Sequence, residues 1–292
     1  MLFRSDPGSL DMHELRARVH YRRGNREASL READTILQLG ANDPTALYSA
    51  SYLYRLNDQR AEAMSAMDLL IARLPSAYNY HLRSMLHDPA DIAGIMADLA
   101  AALRLDSGYE PAILARAKLL SEAGDHAAAI SIYDRQLATG LDGHRKSALM
   151  TLRGIVHHWN GQAALARKDF AGALAGKPGA GAHTTFCWYL ALANVELSRA
   201  LTACEWAVKM SPSTAAYLET KGFALLQLGR YDQAVAAFDA ALAVKPQQAQ
   251  SWYLRGQAKN RRCDCADGDP DIGAAKKIDP GIEFRYDVVP RH

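Results

Sequence analysis

Apolar side chains in this chain recur at three- and four-residue steps, the period that gives an α-helix one buried face. The pattern is clearest from Ala215 to Pro246. Tyr217, Leu218, Lys221, Gly222 and Leu225 mark the inner face of a first helix, and Ala234, Phe238 and Ala241 mark that of a second. Leu228-Gly229-Arg230 joins them, and Pro246 ends the pair because it has no N–H to continue the ladder. The stretch predicts a helical hairpin.

The hairpin is one of a series. Steps of 34 residues from Pro246 reach Pro212 and Pro178 on one side and Pro280 on the other. The same steps align Ala173, Ala207, Ala241 and Ala275; Phe170, Cys204, Phe238 and Ile272; and Ala166, Ala200 and Ala234. Small residues let two helices approach while a larger one fills the groove between them, so the alignment follows from packing. Bulk departs from the pattern where Trp188 stands in register with Gly154, Gly222 and Gly256, and where Val195 and Cys263 replace Gly161 and Gly229. Upstream the register continues with more variation, giving units that begin near residues 10, 44, 76, 110, 147, 181, 215 and 249. Leu141 to Arg145 read as an inserted loop, and His87-Asp88-Pro89 as a turn.

With Gly222, Tyr231, Ala234, Phe238, Ala241 and Pro246 at these offsets, the segment closely resembles a tetratricopeptide (TPR) repeat. The resemblance implies an all-α fold, a right-handed superhelical solenoid of about eight stacked helical hairpins forming one domain over residues 1–282. Residues 283–292 remain as a C-terminal tail whose period-two alternation suits an extended segment, either docked along an apolar surface or frayed.

The function it implies is a non-enzymatic scaffold or adaptor that holds a protein or peptide in a concave groove. Alternatives are a self-assembling scaffold joined through uncapped solenoid ends or the tail, and a regulatory subunit associated with an enzyme. In the family the groove is lined by set positions of each first helix. Mapped onto this register they are Tyr48, Tyr52 and Arg55; Tyr80 and Ser84; Lys118; Thr151, Ile155 and His158; Thr185 and Tyr189; Glu219 and Phe223; and Tyr253, Gln257 and Asn260. Tyrosine suits such a wall because it offers apolar area with a polar tip, yet each one either meets a ligand or packs between neighbouring helices. The cations of a carboxylate clamp, found in some members, are missing: the equivalent positions hold Thr185, Tyr189, Thr220, Gln250 and Leu254.

Charge and composition narrow the partners. A formal net charge of +2 from 34 basic and 32 acidic residues gives no field for nucleic acid or an anionic membrane. Arg4, Asp6, Asp11 and Glu14 interrupt any leader-like apolar run, so a cytoplasmic location is expected. An Ala-rich composition favouring Arg over Lys suggests a bacterial source with a GC-rich genome. Four cysteines make no disulfide framework, and a reducing compartment would leave Cys187 and Cys204 as small apolar core groups on facing helices. Cys263-x-Cys265 lacks the further ligands a zinc site needs and reads as a divergent turn. His157 and His158 diverge on a helix and cannot grip one ion together. Lys259, Arg261 and Arg262 form a solvated basic cluster followed by acidic residues. No nucleophile with its base, phosphate loop or catalytic carboxylate pair stands out, so neither an enzyme nor a cofactor or metal is expected.

Overall fold

The computed structural model describes residues 8–141, 143–176 and 178–282. All regular structure among them is helical. The first eight helices are α1 (Leu10–Arg22), α2 (Arg26–Leu39), α3 (Pro44–Leu56), α4 (Arg60–Arg73), α5 (Ala77–Ser84), α6 (Ile92–Leu105), α7 (Glu110–Glu122) and α8 (His126–Leu137). They are followed by α9 (Gly143–Trp159), α10 (Ala163–Ala173), α11 (Ala180–Leu192), α12 (Leu197–Met210), α13 (Ala215–Gln227), α14 (Tyr231–Val244), α15 (Ala249–Cys263) and α16 (Asp269–Ile278). The expected loop at Leu141–Arg145 is shorter than the sequence suggests, because α9 takes up the chain from Gly143 onward. The tail at residues 283–292 lies outside the described residues. Two compact units divide within α7, one spanning 1–119 and the other 120–292.

In the first unit α1 pairs with α2, α3 with α4 and α5 with α6, and α2 and α4 each pack on the next hairpin's first helix. Short polar side chains start these helices: Ser9, Asn25, Asp43, Ser76 and Asp91 each accept a bond from an N–H of the first turn, and Pro44 follows Asp43 at the first helical position. Ile36, Leu47, Leu53, Met67 and Leu70 fill the core. Between hairpins, the Tyr54 hydroxyl donates to Asp34 at 2.6 Å and the Asn57 amide donates to Ser29 at 2.9 Å.

The second unit pairs α9 with α10, α11 with α12, α13 with α14 and α15 with α16. One apolar core runs through it, from Ile155 and Phe170 through Phe186, Leu190, Phe223 and Phe238 to Leu254 and Ala275. Glycine allows the close approach inside two hairpins. A Cβ on Gly154 would stand 2.6 Å from the Phe170 ring, and one on Gly222 would stand 2.7 Å from the Phe238 ring. These contacts explain the alignment of glycine with a large residue on the opposite helix.

A polar device recurs beside that packing. Arg153 reaches Asp169 of its own hairpin through Nε at 2.8 Å and Nη2 at 2.6 Å, while its Nη1 meets Asp134 of the preceding helix at 2.5 Å. Arg255 forks in the same way onto Asp271, at 2.7 and 2.8 Å, and onto Asp239 at 2.5 Å. In the first unit Arg83 holds Asp98 and, at 2.7 Å, Asp68. One helical turn further on, His87, His157 or Lys259 approaches the same buried carboxylate at 2.9, 3.8 or 3.0 Å. A guanidinium suits this place because its planar fork can serve two carboxylates at once.

The structure corrects the expectation that Cys187 and Cys204 stay unbridged. Cys187 on α11 and Cys204 on α12 are joined by a disulfide with a Cα–Cα distance of 5.6 Å, inside the core. Cys263 and Cys265 are joined across the turn after α15, where Asp264 takes left-handed φ.

Candidate functional site

The first helices of successive hairpins touch: α1 with α3 in one unit, and α9, α11, α13 and α15 in sequence in the other. Their outward residues therefore form a continuous face within each unit. Whether a residue on that face is open depends on the bulk of its neighbours.

In the first unit the face is open and aromatic. The Tyr52 ring lies between two guanidiniums, Arg18 at 5.4 Å and Arg55 at 5.5 Å from its centroid. Arg18 is also paired with Glu14 at 2.6 Å, and Glu14 accepts from Ser49, again at 2.6 Å. Arg55 makes no ion pair among the described residues and is exposed. Tyr48 and Tyr78 are 37% and 47% exposed, so both keep much of their ring in solvent. Their hydroxyls stand 3.2 Å apart; that hydrogen bond, with partial burial, pushes the Tyr48 phenol above its ordinary range. Tyr80 is half-buried with Arg83 over its ring at 5.3 Å, whereas Ser84 is buried and donates to the His81 carbonyl at 2.6 Å. Lys118, on α7, is exposed.

The second unit is more closed. Thr185 and Tyr189 on α11 are half-buried, and His158 on α9 is exposed. Thr151 and Ile155 are buried, the threonine hydroxyl donating to the Ser147 carbonyl at 2.8 Å. Phe223 is buried because Trp188 of the preceding first helix covers it, with ring centroids 5.0 Å apart. Tyr253 is buried in the same core. Glu219 is also buried and accepts from the Gln248 amide and the Ser251 hydroxyl of the next hairpin. Burial pushes its carboxyl above the ordinary range, and the two hydrogen bonds and Lys245 only partly oppose this. Gln257 is half-buried, and so is Asn260, whose amide donates to Asp269 at 2.9 Å while its carbonyl accepts from the Gly268 N–H.

The residues assigned to one groove thus divide by exposure. Tyr48, Tyr52, Arg55, Tyr80, Lys118, His158, Thr185, Tyr189, Gln257 and Asn260 keep accessible surface; Ser84, Thr151, Ile155, Glu219, Phe223 and Tyr253 are walls within the packing. Residue spacing along the sequence did not single out Arg18, Tyr78 or Glu14, which join the patch from α1 and the start of α5. Among the described residues no group of three or more His, Cys, Asp or Glu is placed to hold a metal. No helix of the described residues is long and apolar enough to cross a membrane.

Paired helices whose first members stack on one another define a helical-hairpin repeat protein. Residues 222–260 match the family model described as TPR repeat. That segment is thus a tetratricopeptide repeat, and the fold of the described residues is all-α and TPR-like. In fold it is similar to yeast Tom70, with a TM-score of 0.60 at 13% identity, over 98% of this chain and 64% of that one. This chain therefore spans somewhat less than two thirds of the Tom70 structure. A tetratricopeptide repeat protein from Parabacteroides merdae is similar at a TM-score of 0.47 and 14% identity, over 84% of this chain and 95% of that one. The structure of MamA gives 0.45 and 17%, over 54% and 92%. No curated protein sequence matches the chain.

Proposed function

We propose that this protein is a non-enzymatic scaffold that holds a segment of another protein against its first-helix face, with the patch on α1, α3 and α5 as the principal contact. The observation that carries the reading is Tyr52 held between Arg18 and Arg55, beside the exposed Tyr48 and Tyr78. Stacked guanidinium and phenol groups lose little rotamer entropy when covered, and they offer apolar area and hydrogen bonds together. Arg55 has a cation free to meet a carboxylate or carbonyl of the partner.

Affinity capture from the native lysate, quantified by mass spectrometry, tests this with Tyr48→Ala/Tyr52→Ala against wild type. An outer-face variant, Arg31→Ala, serves as the control. Loss of a defined set of partners in the double variant alone, with an unchanged melting temperature, is the expected result. Identical capture by all three proteins removes the reading.

A second reading, self-association through the first hairpin, draws support from Leu15 and Val19, which leave apolar surface exposed on α1. Light scattering across a concentration series separates the two: a mass that stays monomeric dismisses self-association.

A further inference from the structure

We propose that the Cys187–Cys204 disulfide is a redox-controlled clasp on which the α11–α12 hairpin depends, so that a reductant loosens this hairpin while its neighbours hold. The repeat register supplies the argument. Position 187 is equivalent to Arg153, Lys221 and Arg255, and position 203 is equivalent to Asp169, Ala237 and Asp271. Hairpins α9–α10 and α15–α16 therefore carry an arginine–aspartate clasp where α11–α12 has Cys187 and Ala203. Hairpin α13–α14 also lacks the ion pair, but Phe238 closes onto Gly222 there, as Phe170 does onto Gly154. In α11–α12 neither arrangement exists, since Trp188 occupies the glycine place and Cys204 the phenylalanine place.

The turn of this hairpin also holds two non-glycine residues in the left-handed conformation, against one, Asp264, in the α15–α16 turn. Gly161 and Gly229 take the left-handed conformation at φ 71° in the α9–α10 and α13–α14 turns. In the α11–α12 turn Asn194 and Glu196 adopt it instead, at φ 54° and 48°, where a side chain adds steric cost. Three noncovalent supports are thus missing or weakened at one hairpin. At that hairpin two cysteines face each other with Cα atoms 5.6 Å apart, within the range a disulfide spans.

The chemistry balances with a small-molecule disulfide, such as oxidised glutathione, as oxidant. The Cys187 thiolate attacks one sulfur of the donor, forming a mixed disulfide and releasing one thiolate. Cys204 gives its proton to solvent and attacks the Cys187 sulfur, releasing the second. Two electrons pass from the protein to the donor. Both cysteines are buried, so the exchange needs the hairpin open and the bond locks it once closed.

The test uses the full chain with Cys263→Ser/Cys265→Ser, which removes the exposed pair. Protein purified without reductant is denatured in an alkylating agent and weighed; residues 187 and 204 should remain unmodified, and full alkylation of both overturns the proposal. Amide hydrogen exchange is then compared before and after reduction. Peptides from 180–210 should exchange at least about tenfold faster once reduced, while those from 215–244 change little. Unchanged exchange in 180–210, or an equal increase in both segments, overturns it. Reduction of this same protein provides the comparison, so the test does not depend on whether Cys187→Ala/Cys204→Ala folds.

Discussion

Removal of Asp169 tests whether the arginine fork is a clasp or ornament on a hairpin already closed by Phe170. Asp169 is almost wholly buried, its side chain 4% exposed, and it receives two bonds from Arg153. In Asp169→Ala the guanidinium, at 21% exposure, keeps only the outer bond to Asp134, which is itself 55% exposed. Breaking one side of a buried pair costs about 3 to 5 kcal/mol, because a charge is left without its partner. The retained outer carboxylate and partial solvation lower that figure to about 2 to 3 kcal/mol. The chain contains its own rescue: the register of Arg153 and Asp169 is occupied by Lys221 and Ala237 in α13–α14, which keeps the same glycine–phenylalanine contact. Arg153→Lys/Asp169→Ala should therefore regain most of the loss, ending within about 1 kcal/mol of wild type, because the flexible lysine can carry its charge out to water. Urea unfolding followed by circular dichroism measures both variants. A single variant as stable as wild type, or a double variant less stable than the single one, would refute the reasoning.

Other substitutions follow from the same packing. Phe238→Ala empties the ring site against Gly222 and should cost about 3 to 5 kcal/mol in urea unfolding, whereas Tyr52→Ala should change stability by less than about 1 kcal/mol. Burial raises the Glu219 carboxyl above 4.5, so its favourable contribution is complete below that pH and is lost as pH rises through the folded value. Glu219→Gln should therefore gain stability at neutral pH and flatten the melting temperature between acid and neutral solution; a parallel profile would count against it. Burial pushes Asp271 up, but bonds from Arg255 and Lys259 outweigh it and hold the carboxyl below 3.8. Its contribution is present above that pH and disappears as pH falls through the lower folded value, so Asp271→Asn should lose stability at pH 7 and show less further loss in acid.

The helices were legible because their signals are local. Glycine turns, alanine stripes and the recurring proline all act within one hairpin, so Ala215 to Pro246 announced a pair of helices with no tertiary information. What the spacing left hidden depends on the next hairpin. Phe223 occupies a position that the repeat register assigns to the groove, yet Trp188 covers it. Glu219 is likewise enclosed by Gln248 and Ser251. The arginine fork was partly written in the register, since Arg153 and Asp169 recur as Arg255 and Asp271, but Cys187 and Lys221 interrupt it in the two units between. The Tyr52 patch needed α1, the stretch whose repeat pattern is weakest, to bring Arg18 across.

The interruptions are compensated, and that explains how units so different in sequence share one fold. Where the first helix carries glycine, the second supplies phenylalanine or isoleucine; where it carries Trp188, the second supplies Cys204. Bulk has moved from one side of the hairpin to the other, which leaves the helices free to pack at a similar distance. The exchange has a consequence for the neighbours: a tryptophan on the first helix closes over Phe223 of the next first helix, whereas Phe170 and Phe238 on second helices close onto the glycine of their own hairpin, Phe170 also meeting the Phe186 ring edge-on at 6.0 Å. The same substitution that made room for a disulfide between α11 and α12 thus also sealed part of the face in the second unit. Closure of the second unit's face at Phe223 therefore follows from where α11 places its largest side chain.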